Sequence, residues 1–248
     1  RSPTVTGVQT CALPISSDLD MGGLDESANG VAERRFDPVS DMNNWGGGGQ
    51  GSGDGTYEGV AWQGTFDGQG HTVANVYVDG SVNCSNNFGG YQGLFSAIGA
   101  GGRVRNVGVT GTMYGRVIGG IVGGSNYVDS TVAANQWPLI ETCWTNVKIG
   151  GNGSSSRGAG GIYGGERSRR SSVHVVNCYT RGDVSNRQTA GVAGPISGTV
   201  AGTYATGSVK GVYTAAVASM LYLEGYTDSS VIAPTRSEER RVGKECRS

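Results

Sequence analysis

Apolar residues in this chain come in short bursts in which they alternate with polar ones, and glycine, asparagine, aspartate and serine separate the bursts. Val73-Ala-Asn-Val76 is echoed by Val104-Arg-Asn-Val107, Ile140-Glu-Thr-Cys143, Val175-Val-Asn-Cys178 and Val200-Ala-Gly-Thr203. A small or aromatic residue follows each echo. Short β-branched runs bounded by turn formers predict strands, and no stretch sustains a 3.6-residue period, so almost no helix is expected. A second signature falls between the echoes: Gly93-Leu-Phe95, Gly120-Ile-Val-Gly123, Gly161-Ile-Tyr-Gly164, Gly191-Val-Ala-Gly194 and a worn Ala216-Val-Ala218. Two signatures alternating at a spacing of about thirty residues mark a stacked repeat protein.

One turn of short strands cannot bury its own apolar side chains. The next turn, about 4.8 Å along the axis, covers them and completes the hydrogen-bond ladder. The expected fold is therefore all-β: a parallel β-helix (solenoid) of about five to six irregular coils in a single elongated domain. Equivalent positions then form columns. Val76, Val107, Cys143, Cys178 and Thr203 read as an interior column, with Arg105 outside. The preceding column, Asn75, Asn106, Thr142, Asn177 and Gly202, reads as an amide ladder of the cross-β kind. Residues 17–64 read as a lead-in or capping segment with a glycine-rich loop, 65–226 as the repeats, and 227–235 as a linker or truncated coil.

The two ends change the charge balance. Val5–Ile15 resembles the translation of a short-read sequencing adapter, and Arg236–Cys246 resembles the partner adapter. The two agree with each other: Ala12-Leu-Pro-Ile15 can be written GCTCTTCCGATC, and with one more T its reverse complement encodes Arg-Ser-Glu-Glu, the residues at 236–239. Residues 1–16 and 236–248 are accordingly expected to be disordered and foreign to the fold. The tail carries five basic and three acidic residues and the other end carries Arg1, so without them the net charge moves from −1 to −4. A mildly acidic repeat region has no electrostatic footprint for nucleic acid. No apolar run approaches the roughly 18 residues that span a bilayer, so membrane insertion is not expected. Glycine makes up 46 of 248 residues, well above the usual share of about 7%, yet the regular return of Val, Ile and Tyr separates the chain from a disordered one.

Phe66-Asp-Gly-Gln-Gly-His-Thr-Val73, Gly93-Leu-Phe95, the repeated Gly-Gly-Ile-Val-Gly runs and Val-x-Asn-Cys-Tyr-x-x-Gly-x-Val together resemble the GLUG-motif family of bacterial surface proteins. The resemblance covers about residues 17–220, and its last repeats are eroded, with Gly202-Thr-Tyr204 in place of Asn-Cys-Tyr. It implies a non-catalytic stalk or adhesin-like module, secreted or on the cell surface, and a segment of an IgA-type metallopeptidase outside its catalytic part is an alternative. It assigns no catalytic, cofactor-binding or metal residue.

The chemistry-bearing residues fit that picture. Asp67 beside His71 reads as a glycine turn, with the carboxylate satisfying turn amides. His71 and His174, the only histidines, lack the spacing of a zinc peptidase. Asp18 and Asp20 are too few oxygens for calcium. Cys143 and Cys178 stack within disulfide reach, but parallel side chains point the same way and suit free thiols better; Cys84 lies on a loop. Arg167–Arg170 is a small basic cluster, too small and without the aromatics that nucleic-acid binding needs, and Asn83 and Asn152 head glycosylation sequons. An alternative, a polysaccharide-cleaving (pectinase-like) enzyme, would need Asp79, Arg105, Lys148, Arg181 and Asp183 to converge on one groove. Glycan or protein partners are expected at the turn loops 79–91, 129–137 and 150–157. The isolated fragment is expected to self-associate through its C-terminal end, where a cut coil edge is left uncapped.

Overall fold

The computed structural model describes residues 13–22, 39, 61–79, 91–125, 132–151, 158–165 and 172–221. Every strand pair in it is parallel, and apart from one 3-10 turn at Ala134–Gln136 the regular structure is all strand. The chain winds through sheets of seven, eight, five and two strands, which form the faces of a parallel β-helix. Coil 2 runs Thr65–Asp67, Thr72–Asp79, Tyr91–Gln92 and Phe95–Ile98. Coil 3 lies on it with Arg103–Arg105, Gly108–Gly115, Val117–Gly119 and Val122–Ser125. Coil 4 follows with Leu139–Glu141, Trp144–Gly151 and Gly158–Gly160. Coils 5 and 6 continue to Ala218–Leu221, and Ala193–Ala201 runs from one into the other. Coil 1 is built from Leu19–Asp20, Val39 and Trp62, which pair with Val73–Ala74, Phe95 and Ile98 of coil 2.

The core is a set of columns. Val104, Ile140, Val175 and Val200 stack on the first face, at most 2% exposed. Val107, Cys143, Cys178 and Thr203 line the first corner, all buried. The second signature stacks as the sequence implies: Phe95, Val122, Tyr163, Ala193 and Ala218 are in register. At this corner the chain passes so close to its neighbours that a Cβ on Gly161 would run into Thr180 and the Gly191 backbone. Thr145 and Thr180, beneath that corner, are fully buried, and the Thr145 hydroxyl donates to Gly161 O at 2.8 Å.

Four expectations change. First, Val73–Val76 is not the equivalent of Val104–Val107. Phe66 pairs with Val104, and Val73 pairs with Val109 on the next face. Gly68–His71 holds two more residues between the faces than Asn106–Val107, so the sequence similarity matches segments of different faces. Val76 is buried, but it stacks on Gly111 after a bulge. Second, the asparagine column is not an amide ladder. Asn106, Thr142, Asn177 and Gly202 share φ of 54°, 53°, 53° and 60°, the left-handed conformation that turns the corner. Asn and Gly recur there because they tolerate that conformation best. Asn106 and Asn75 give their amide groups to Asp67 and Asp20.

Third, the adapter-like segment contributes to the fold. Leu13–Pro14 pairs with Phe66–Asp67, and Ile15 packs against the core. Thr65–Asp67 has an open edge there, and a residue before proline is already extended, so Leu-Pro-Ile satisfies that edge. Fourth, the described part of the 129–137 insert folds back. Trp137 is 6% exposed and stacks on the His174 ring at 5.2 Å, and Gln136 O accepts the Gly101 N–H. The loop of 80–90, residues 152–157, the Arg167–Arg170 cluster, Cys84, Asn83, Asn152 and everything after 221 lie outside the described residues.

Candidate functional site

Charged side chains on the outer surface sit where the strand pattern leaves them, so register decides which ones meet. Ile149 pairs with Val184, which makes Lys148 and Asp183 column neighbours on the second face. The Asp183 carboxylate accepts the Ser208 N–H at 2.8 Å. That bond, with the charges of Lys210 and Lys148 nearby, holds it below the ordinary carboxylate range. The Arg181 guanidinium lies over the Tyr179 ring, 5.3 Å from its centroid. Asp79 is in coil 2, three coils from Asp183, so the two are at least about 14 Å apart along the axis. Carboxylates that cleave a glycosidic bond stand about 5–9.5 Å apart. Arg105 is elsewhere, on the first face, its Nε 2.9 Å from Asp67. Lys148 and Asp183 are thus neighbours, but Asp79 is three coils away and Arg105 is on another face, so the five residues that a polysaccharide-cleaving groove would need do not converge.

Asp18 and Asp20 serve turns. Asp18 accepts the Thr72 N–H at 2.8 Å and stands 3.3 Å from His71 Nδ1, and the amide bond does most to lower its pKa. Asp20 accepts from the Gly22 N–H and the Asn75 amide. Both are thus engaged by donors, and no group of three His, Cys, Asp or Glu side chains among the described residues is placed to hold a metal ion. His71 follows the first corner in coil 2 and His174 sits on the first face in coil 5, so the two histidines do not meet. Cys143 and Cys178 are free, buried thiols, in line with the sequence reading. The Cys143 N–H points at Cys178 Sγ at 3.5 Å, and burial pushes the Cys143 thiol well up. The two thiols act here as small core side chains.

The groups that do gather are at the first corner. Asp67 accepts the Gln69 N–H at 2.9 Å, the Asn106 Nδ2 at 3.1 Å and the Arg105 Nε at 2.9 Å. The first two of these bonds hold its carboxyl below the ordinary range. Beside it opens a cleft of about 540 Å³ lined by Asp67, Gln69, Gly70, Asn106, Thr142 and Trp144. Three local features produce it. The longer loop Gly68–His71 stands out from coil 2. Coil 3 has Gly108 where coils 4, 5 and 6 carry Trp144, Tyr179 and Tyr204. The Trp144 ring leans into the space that a Gly108 side chain would fill.

Trp144, Tyr179 and Tyr204 themselves form a stack, with centroids 6.2 and 5.1 Å apart and planes within 10° and 4°. One side of Trp144 is thus against Tyr179, and the other leans over Gly108 of coil 3, with the cleft residues of coil 2 beyond it. Sequence reasoning missed this site, although the small or aromatic residue after each echo was its signal. What hid it was the mistaken equivalence of Val76 with Val107, which put Tyr77 in the column of Gly108. No protein-family model matches the chain, and no curated protein matches it.

Proposed function

We propose that this chain is a non-catalytic β-helical segment of a secreted or cell-surface bacterial protein, serving as a stalk or adhesin-like module. One observation carries the reading. The carboxylates of Asp18, Asp20, Asp67 and Asp183 each accept a backbone N–H at a turn or corner, and the other described carboxylates, Asp79 and Glu141, stand in different coils and on different faces. A hydrolytic site for glycans needs two such groups converging on one bond. Here Asp18, Asp20, Asp67 and Asp183 each tie one coil to the next. Six coils at about 4.8 Å each give a spacer about 24 Å long between the first and last. The resemblance of the chain's motifs to the GLUG family is what supports a surface location and a bacterial source.

The test has two arms. Incubated with a panel of polysaccharides that includes pectins, the full chain should release no new reducing ends. Turnover that disappears in Asp79→Asn or Asp183→Asn would overturn the non-catalytic reading. Protease treatment of intact source cells should cleave the parent protein, and full protection until lysis would overturn the surface location.

A further inference from the structure

We propose that the first-corner cleft is a binding subsite for a single neutral sugar ring. This deepens the adhesin-like reading and rests on it. The lining combines two kinds of surface that a pyranose needs. Trp144 lines the cleft with the part of its ring that is covered neither by Tyr179 nor by Gly108, an apolar surface suited to the C–H face of a sugar. The side chains of Gln69, Thr142 and Trp144 make none of the hydrogen bonds found among the described residues, and Asn106 uses only its Nδ2. An amide, a hydroxyl, an indole N–H and the Asn106 carbonyl oxygen are therefore open to a ligand. Together they offer donors and acceptors side by side, the complement of adjacent sugar hydroxyls.

Charge narrows the class further. Asp67 is the only charged residue of the lining, and it is matched by Arg105 at 2.9 Å, so the lining offers no free charge to an ionic ligand. Asp67 acts as a positioning residue: it fixes the Gln69 backbone and the Asn106 amide, and so aims Asn106 Oδ1. The volume of about 540 Å³ falls in the range of small-ligand sites and suits one sugar ring with room for a linkage. An open cleft with few anchors gives weak binding, with Kd on the order of 1 mM. Repetition along a parent protein would raise it through multivalency.

The experiment is a heteronuclear NMR titration of the full chain with glucose, galactose, mannose, N-acetylglucosamine and galacturonate, each to tens of millimolar. The Trp144 indole resonance is assigned with Trp144→Phe. At least one neutral sugar should shift it saturably, and galacturonate should bind no better than galactose. Gln69→Gly keeps the left-handed backbone at φ 52° and should weaken binding about fivefold, the value of one neutral hydrogen bond. Followed through the Asn106 side-chain amide instead of the indole, Trp144→Ala should abolish binding, and Tyr204→Ala, two coils away, should leave it within about twofold. Absence of a saturable shift with every neutral sugar would overturn the proposal. So would binding that survives both Gln69→Gly and Trp144→Ala, or a preference for galacturonate. These outcomes leave the spacer reading standing, because only polysaccharide turnover or internal location tests that.

Discussion

Thr142 occupies the left-handed corner position with φ of 53°, between Asn106 at 54° and Asn177 at 53°. Its β-branched side chain crowds the backbone there, which costs about 1–2 kcal/mol relative to a residue that adopts the conformation freely. The side chain is exposed and joins no hydrogen bond among the described residues, while the backbone N–H donates to Val176 O at 3.0 Å whatever residue stands there. Thr142→Asn should therefore stabilise the chain by about 1 kcal/mol, or roughly 2–4 °C in Tm for a fold of this size. Thr142→Gly relieves the same strain but adds about 0.5–1 kcal/mol of unfolded-state entropy, so its gain should be smaller. The reciprocal change, Asn177→Thr, should cost about 1 kcal/mol. Urea unfolding followed by far-ultraviolet circular dichroism measures all three, with unchanged m-values as the check that only stability moved. A neutral or destabilising Thr142→Asn, beside a neutral Asn177→Thr, would refute the argument that backbone conformation selects residues in this column.

Two further outcomes follow from burial and charge. Val107 is 1% exposed, so Val107→Asp buries an unpaired charge and should prevent cooperative folding, whereas Arg105→Ala removes a half-exposed ion pair and should cost about 0.5 kcal/mol; equal effects in thermal melts would show the inside and outside positions to be exchanged. Asp67 has a folded pKa below its ordinary 3.8, so its contribution is complete above that value and is lost as pH falls through the folded one. Asp67→Asn should therefore flatten the acid side of a plot of unfolding midpoint against pH, and identical acid slopes in the two proteins would refute the assignment.

Much of this molecule is decided by local pattern. Alternation in short β-branched runs, glycine at the corners and the return of Gly-Ile-Val-Gly are enough to imply parallel stacking. Each coil leaves its apolar face uncovered unless a similar coil lies on it. Val107, Cys143 and Cys178 could be placed inside from their spacing alone, and they are buried. The tertiary structure decided what pattern leaves ambiguous. Val-x-Asn-Val occurs on two different faces, and only the hydrogen-bond register shows that Phe66, not Val73, belongs with Val104. Asparagine suits both an amide ladder and a left-handed corner, and the φ values of its column select the corner. The cleft depended on both: a missing side chain at Gly108, a loop longer by two residues and a tryptophan one coil on are unrelated in sequence. They become neighbours because stacking turns separations of some 35 residues into steps of about 4.8 Å.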